Sequence, residues 1–564
     1  MRGVRACVAL CVLLLSVAGT AVFGWPTNGD TAGASTRVNP SMLTPLAGSQ
    51  GQRAVDDPVP LLQLVNAAGV PLYTLSRSEA DAAVAKHGFQ LLPNRLGYLR
   101  QAAFAGSQPV YRLTRVGAVG WLLTASATER DSLVASGRFR DEGVVGHAAA
   151  RPAEGLALLS RFSGAAGWRV ALEAPYGNAN DLLAAGFKRD GPLGYVHPQW
   201  NRVGALYFGT WNIGTNPAIL QGGRTVFKRT YDDWWAGVRD YSGQDPTVAQ
   251  YKGAWPDDDF SDRMPAIGFY DDAQTATVEK HITQASSAGL DYFAFYWYWN
   301  PVDRQERLGA GLQSFLRAGN RRALDFGLTI CAHAWDNGRL KIPTDQYAVV
   351  ADRLVDTYLS QPNYLRANDG RPIVWLCDSR GIGSGSNADV RSFVDTVRAR
   401  ARAALGEELM VLAHQDLGLP LEPVGADGNY CAAPYAAVQA RSYTGYVQHQ
   451  RATFGRGAPA FVRCVMSDFD ERPRYPLTVK NVADIKYLPD QTFDLFAQAT
   501  RNAYTDIAES TRTSAVDNFV LVYAWNEWHE GGVIEPNARD GCRYLDILRS
   551  ELKLTSGGGC VARP

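Results

Sequence analysis

The stretch NFVLVYAWNEWHEGGVIEP, Asn518–Pro536, starts as an unbroken apolar run and ends with Glu527 and Glu530 set among two tryptophans, an asparagine and a histidine. A run such as FVLVY, apolar at successive positions, marks a strand covered on both faces, as in a parallel sheet. Parallel strands need long crossover segments, and reading outward supplies them. Seven further strand candidates come earlier: GALYFGTW from Gly204, LDYFAFYWYW from Leu290, DFGLTICAHAW from Asp325, RPIVWLCD from Arg371, ELMVLAHQ from Glu408, DGNYCAAP from Asp427 and AFVRCVMSDFD from Ala460. Between them VEKHITQASSAG, QYAVVADRLVDTYL, VRSFVDTVRARARAAL and FDLFAQATRNAYTDIAES repeat apolar residues three and four apart, as amphipathic helices do. Eight strands alternating with helices predict an α/β fold, a (β/α)8 TIM barrel, over residues 199–564.

Such barrels present functional groups at the C-terminal ends of their strands. Those ends are aromatic, acidic or imidazole-bearing here. Trp211 closes the first candidate; Tyr296, Tyr298 and Trp299 the second; His333, Trp335 and Asp336 the third. Asp378, His414 and Tyr430 follow, then Asp468 and Asp470, and the eighth carries Asn526, Glu527, Trp528, His529 and Glu530. Flat aromatic rings and carboxylates together suit sugars, although alternate residues of each strand must point into packing.

Glu527 and Glu530 stand three apart, which in a helical turn separates their Cβ atoms by about 5–6 Å. Retaining glycosidases hold two carboxyls about 5–5.5 Å apart, and like charges at short range split their proton affinities into one acid and one base. A pair of surface glutamates is the plain alternative, but the apolar strand and aromatic company favour acid/base chemistry. Other hydrolytic patterns are missing. A His-Glu-x-x-His metal site would need histidine at position 533, which is Val533; there is no Gly-x-Ser-x-Gly after a strand and no phosphate-binding glycine loop. Neither a metal nor an organic cofactor is implied.

The remaining sequence frames this domain. MRGVRACVALCVLLLSVAGTAVFG, residues 1–24, reads as a signal peptide: Arg2 and Arg5 precede an apolar run too short to anchor, with small residues at its end. Residues 25–57 read as a linker rich in Gly, Pro, Ser and Thr. Residues 58–198 hold three echoes of about fifty residues, from VPLLQLVNAAGVPLYTLSRSEAD, QPVYRLTRVGAVGWLLTASATERD and GLALLSRFSGAAGWRVALEAPYGNAND, which predict a small all-β, β-trefoil-like module. No aromatic recurs at one position in all three, so carbohydrate binding and simple packing both stay open. Lys plus Arg and Asp plus Glu number 56 each, so the charge favours neither nucleic acid nor an anionic membrane, and a soluble, exported protein is expected. Six cysteines lie beyond the signal without zinc-site spacing. Cys542 and Cys560 flank the C-terminal tail and can pair, whereas Cys331, Cys377, Cys431 and Cys464 read as buried small hydrophobes.

The run AWNEWHEGGVIEP resembles the glycoside hydrolase family 99 motif Asn-Glu-Trp-His-Glu-Gly-x-x-Ile-Glu and the Ala-Trp-Asn-Glu-Trp-x-Glu-Gly-x-x-Leu-Glu-Pro of WbsX-like polysaccharide-biosynthesis proteins. Upstream, IGFYDDAQTATVEKHITQASSAGLDYFAFYWYWN is similar to a WbsX-like stretch, and Asp468, Asp470 and Arg474 resemble a Trp-Asp-Asn-x-x-Arg segment. The three-repeat module resembles secreted β modules appended to bacterial hydrolases. The resemblance implies that Glu530 is a general acid/base and that Glu527 assists the sugar's own 2-hydroxyl as base, giving a 1,2-anhydro intermediate and net retention on α-mannoside-type linkages. It also implies that Asp470 bonds a sugar hydroxyl, with a surface ion pair as the plain alternative, that Asn526 orients substrate or carboxylate, and that Glu535 serves as support or cap. HAWD at His333–Asp336 departs from the Asn-Glu-Asn-Trp common in WbsX-like chains. The expectation is an exported endo-acting glycoside hydrolase acting on a polysaccharide or glycan. A glycan-transferring enzyme using the same residues and a non-catalytic carbohydrate-binding protein are its rivals.

Overall fold

The structure, a computed structural model, describes residues 58–563 apart from 93–95, 154–155, 175–176, 199, 212–233, 243–259, 261, 334–339, 416–419, 433–434, 455–457, 476–484, 511–513 and 555–557. The expected signal and linker, and Trp335 and Asp336, lie outside the described residues. Among those described, no helix is long and apolar enough to cross a membrane.

Each apolar run found in the sequence forms a barrel strand: β1 Arg202–Tyr207, β2 Tyr292–Asn300, β3 Asp325–Cys331, β4 Ile373–Asp378, β5 Met410–His414, β6 Gly428–Tyr430, β7 Phe461–Met466 and β8 Phe519–Tyr523. Neighbours pair in parallel in chain order, and β1 pairs with both β2 and β8, which closes the barrel. Helices Thr275–Ala288, Ala310–Arg317, Tyr347–Leu354, Asn387–Leu405, Tyr443–Thr453 and Phe493–Ala508 lie between successive strands. The longest of them starts where the Ser386 hydroxyl accepts the Asp389 N–H and ends at Gly406 in the left-handed region.

Strand parity separates interior from exterior. Tyr292 points inward, stacked at 17° on Trp375, which meets Tyr430 edge-on at 5.0 Å; the Tyr292 hydroxyl donates to the Val520 carbonyl at 2.8 Å. The ring needs Gly204 beside it, because a Cβ there would stand 2.3 Å from its carbons. Residues of the other parity face the helices, as Phe295 does, with its ring 5.3 Å from that of Phe315.

The N-terminal module holds its three repeats, but each contains a helix. Strands Leu62–Val65 and Pro71–Thr74 lead to helix Arg77–His87; Ser107–Arg115 and Trp121–Thr124 lead to Ala127–Ala135; Ala157–Gly164 and Gly167–Leu172 lead to Ala179–Ala184. A trefoil is built of strands alone, so the unit is a ββαβ repeat rather than the all-β one expected. The first two helices begin at caps: the Ser76 and Ser126 hydroxyls accept the N–H groups of Glu79 and Glu129. Those same glutamates bind the next repeat, Glu79 to Arg112 and Glu129 to Arg161, each at 2.7 Å. A cleft of about 990 Å³ lies between the module and Arg371, Met410, Asp427, Ala460 and Asn518, at the N-terminal ends of β4 to β8. The module therefore adjoins the end of the barrel opposite the strand C-termini.

The six cysteines among the described residues are paired: Cys542–Cys560 joins the tail, and Cys331–Cys377 and Cys431–Cys464 link β3 to β4 and the residue after β6 to β7. The last two pairs overturn the reading of four buried thiols. Adjacent parallel strands bring their Cα atoms to 4.8 and 5.3 Å across 46 and 33 residues of chain, a proximity that spacing does not reveal.

Gly204→Ala should crowd the Tyr292 ring and cost about 1–3 kcal/mol of stability. Urea unfolding followed by circular dichroism checks this, expecting a lower midpoint with an unchanged slope.

Candidate functional site

Beyond the end of β8 the chain turns back as a hairpin, with Asn526–Glu527 antiparallel to Gly532–Val533. The two carboxylates are thus joined by a β-turn, not a helical turn: the Glu530 N–H donates to the Glu527 carbonyl at 2.9 Å. Two glycines dictate this. Gly531 has φ +68°, and a Cβ on it would lie 2.8 Å from the Asp470 Cβ; a Cβ on Gly532 would lie 2.4 Å from the Tyr523 ring.

Much of the aromatic company of the pair is support. Asn526 is fully buried; its Oδ1 accepts the Phe208 N–H at 2.8 Å while its Nδ2 donates to the Phe208 carbonyl at 3.1 Å and to the Tyr270 hydroxyl at 3.3 Å. Trp211, equally buried, donates its indole N–H to the Asn526 carbonyl at 2.8 Å. His529 packs between Trp211 and Trp234, ring centres 4.9 and 5.8 Å away, and buried Trp528 donates to Glu535. Trp299 has the outward parity of β2 and bonds Gln346 at 2.7 Å in the helix layer. Rings enclosed in this way hold the hairpin and offer no open face to a sugar at the carboxylate pair.

Beneath lies a polar network kept neutral by burial. Glu535 accepts from Trp528 and from the Tyr270 hydroxyl at 3.0 Å, and stands 3.3 Å from His281 Nε2; His281 Nδ1 meets the Tyr207 hydroxyl at 2.8 Å. Desolvation pushes the Glu535 carboxyl up to about 8 and that of Asp272, which accepts the Trp211 N–H, up to about 8, while it lowers His281 to about 3.

The pair faces outward from this base. Burial raises Glu527 to about 7, opposed by the charge of Arg474. Glu530 is half-buried; the Arg474 guanidinium reaches its Oε1 at 2.6 Å, the Tyr523 hydroxyl donates to its Oε2, and its carbonyl accepts the Asp470 N–H at 2.5 Å. The Asp470 oxygens are occupied by Arg472, at 2.7 Å on each, and by Arg263 at 2.7 Å, so Asp470 clamps the turn instead of facing a sugar. Asp468 stays half-buried and exposed to a neighbouring cavity.

The rim continues through residues of inward parity. Phe208 touches Tyr296 at 6.2 Å, Tyr296 touches Tyr298 at 6.3 Å, and Tyr298 lies 5.7 Å from His333. His333 Nδ1 bonds Asp378 at 2.9 Å; although burial opposes it, this contact and the Arg380 guanidinium hold the Asp378 carboxyl well below the usual range. His333 also neighbours Cys331 and Cys377, the one metal-ligand cluster among the described residues, but both sulfurs are consumed in a disulfide. Of the expected site residues, the structure thus brings Glu527, Glu530, Tyr296, Tyr298 and His333 onto one connected rim. Glu535 takes the supporting one of its two expected roles, whereas Tyr523, Phe208 and the Glu535 partners Tyr270 and His281 were missed. The Gly-Gly after Glu530 was the available signal for a tight turn.

Fold and site define a (β/α)8 barrel with an ionisable pair at the C-terminal end of its last strand, where such barrels carry their working residues. The chain belongs to the family described as Glycosyltransferase WbsX, whose model matches residues 231–548. A second model, described as a domain of unknown function, matches residues 48–149. The uncharacterized protein WxcX of Xanthomonas campestris pv. campestris, from two strains, is 26% identical over 360 residues, covering 57% of this chain and 47% of the relative. The chain spans about half the length of these curated relatives. Similar solved structures include a glycoside hydrolase-like protein, 16% identical with a TM-score of 0.38, covering 63% of this chain and 94% of that one. Another is the GH99 endo-alpha-mannosidase from Bacteroides thetaiotaomicron, 14% identical with a TM-score of 0.37, covering 63% and 96%.

The raised carboxyls beneath the hairpin fix a sign for pH. Glu535 and Asp272 bind protons more tightly folded than unfolded, so their stabilisation is complete below about pH 4 and is lost as pH climbs through about 8. Melting temperature should therefore fall over that window, and Glu535→Gln should make the fall shallower.

Proposed function

We propose that the barrel cleaves glycosidic bonds within a polysaccharide or glycan, with net retention, using only side chains of the hairpin turn. The observation that carries this is the pair itself: two carboxyls on one four-residue turn, one raised to about 7 and the other paired with Arg474 and Tyr523. Both approach from one side, which leaves the opposite side of the sugar ring to its own 2-hydroxyl. Glu527, as base, takes the proton of that hydroxyl as its oxygen attacks the anomeric carbon. Glu530 delivers a proton to the departing oxygen and then takes one from the water that opens the anhydro ring, while Glu527 returns its proton to the 2-oxygen. A base with a value near 7 matches proton affinity to a neutral medium. For Glu530 to carry a proton, substrate must loosen its ion pair with Arg474. The 2-hydroxyl requirement points to α-mannoside-type linkages, in keeping with the family 99 motif.

Glycan transfer is the second reading, favoured by the name of the family: the same intermediate yields to a sugar hydroxyl in place of water. Three disulfides agree with an oxidising compartment and hence with export, away from activated sugar donors. The N-terminal module, at the far end of the barrel, is assigned to carbohydrate attachment or spacing and not to turnover.

The test is an activity screen of the whole protein against α- and β-linked polysaccharides. Glu527→Gln and Glu530→Gln should each lower kcat by about 10²-fold or more, in line with loss of a general acid or base. Turnover surviving both substitutions removes the assignment. The rate should also fall below pH about 7 as Glu527 takes up a proton; a rate that rises on acidification there would exchange the two roles.

A further inference from the structure

A cavity of about 280 Å³ flanks the hairpin, bounded by Trp528 and Gly531 on one side and by Asp468, Gln491, Phe493 and Tyr544 on the other. Neither Glu527 nor Glu530 lines it, so it is separate from the place where a bond would be cut. Its volume falls just short of the about 300 Å³ at which drug-sized sites begin, which suits one small ring and not several.

The polar groups around it are of two kinds. Asp470 is spent on Arg472 and Arg263. Asp468 is not: its Oδ1 accepts only the N–H of its neighbour Phe469 at 2.7 Å, and among the described residues Oδ2 has no hydrogen-bond partner. An acceptor hemmed by protein and facing a cavity invites a donor from a ligand. Beside it, the Gln491 amide donates to the Ser467 carbonyl at 2.9 Å and to the Tyr544 hydroxyl at 3.4 Å, which leaves the Gln491 carbonyl oxygen as a second acceptor. The Phe493 and Tyr544 rings stand 4.9 Å apart, and Arg543 covers Phe493 at 3.9 Å, so the apolar wall is held in place from outside. Acceptors set against an aromatic wall recognise vicinal hydroxyls over an apolar ring face. The lining carries Asp468, Asp470 and Asp540 beside Arg263 and Arg539, a balance of charge that favours a neutral sugar.

We propose that this cavity is a subsite for one neutral pyranose unit of the glycan, with Asp468 and Gln491 accepting from its hydroxyls and Tyr544 against its ring. This rests on the glycan-active reading above. It adds a second anchor on the same strand-seven and strand-eight loops as the catalytic turn, so chains long enough to fill both places bind better than short ones.

The experiment uses the full protein and α-linked manno-oligosaccharides of graded length, from the disaccharide upward, together with yeast α-mannan. Binding is measured on Glu530→Gln by calorimetry and turnover on the active protein. Asp468→Asn, which preserves shape, should raise KM up to about tenfold for the longer chains, the size of a lost hydrogen bond. It should leave kcat and the disaccharide unchanged. Tyr544→Phe, which keeps the ring, should give a smaller shift of the same kind. Long-chain affinity and KM unchanged in both variants, while the unsubstituted protein binds or cuts these glycans, would overturn the subsite alone. Failure of the unsubstituted protein to bind or cut any glycan, these or the wider polysaccharide panel, overturns the glycan-active reading and the subsite with it.

Discussion

The amide of Asn526 clasps both backbone groups of Phe208, and the arrangement of the site follows from that contact. It ties the residue before Glu527 to the end of β1, across the seam where the barrel closes. Because the amide is buried, releasing it would leave four polar groups unsatisfied, each worth about 1–3 kcal/mol. The turn is therefore held on one side by β1 and on the other by the Asp470 N–H beyond β7. Gly531 and Gly532 let it close against Asp470 and Tyr523 without collision.

Electrostatics divides the site into two layers. Below the hairpin, burial is stronger than any available charge partner, so Glu535, Asp272 and His281 stay neutral and act as hydrogen-bonding groups of fixed shape. Above it, solvent and Arg474 are near, and Glu530 keeps an ion pair. Glu527 lies between, raised by its own burial and restrained by the charge of Arg474. A carboxyl poised in this way changes its proton without large rearrangement, which is the property asked of a general base.

The barrel was legible because a strand covered on both faces reads as an apolar run, and all eight runs from Gly204 to Asn518 became strands. The helices of the N-terminal module were not, since SRSEADAAVAKH is polar and alanine-rich and shows almost no apolar stripe; its Ser-x-x-Glu cap was the overlooked sign. The Cys331–Cys377 and Cys431–Cys464 pairs depend on strand adjacency. Within the site, Glu527 and Glu530 stood out by spacing, but Trp211, Trp528 and His529 could not be sorted from sugar platforms, because packing and stacking call for the same rings. Asp470 was similarly ambiguous until its arginines were placed, and Asp468 proved the freer of the two.

The central claim is that a single turn supplies both proton-transfer groups and the substrate supplies its own nucleophile. It is tested most directly by comparing an α-mannoside substrate with its counterpart methylated on the 2-oxygen of the sugar at the cleaved bond. The account predicts that the methylated compound still binds the Glu530→Gln protein but is not turned over by the active one. Turnover of the methylated compound at a rate comparable to that of the parent, with retention of configuration, would require a nucleophile from the protein and would contradict it.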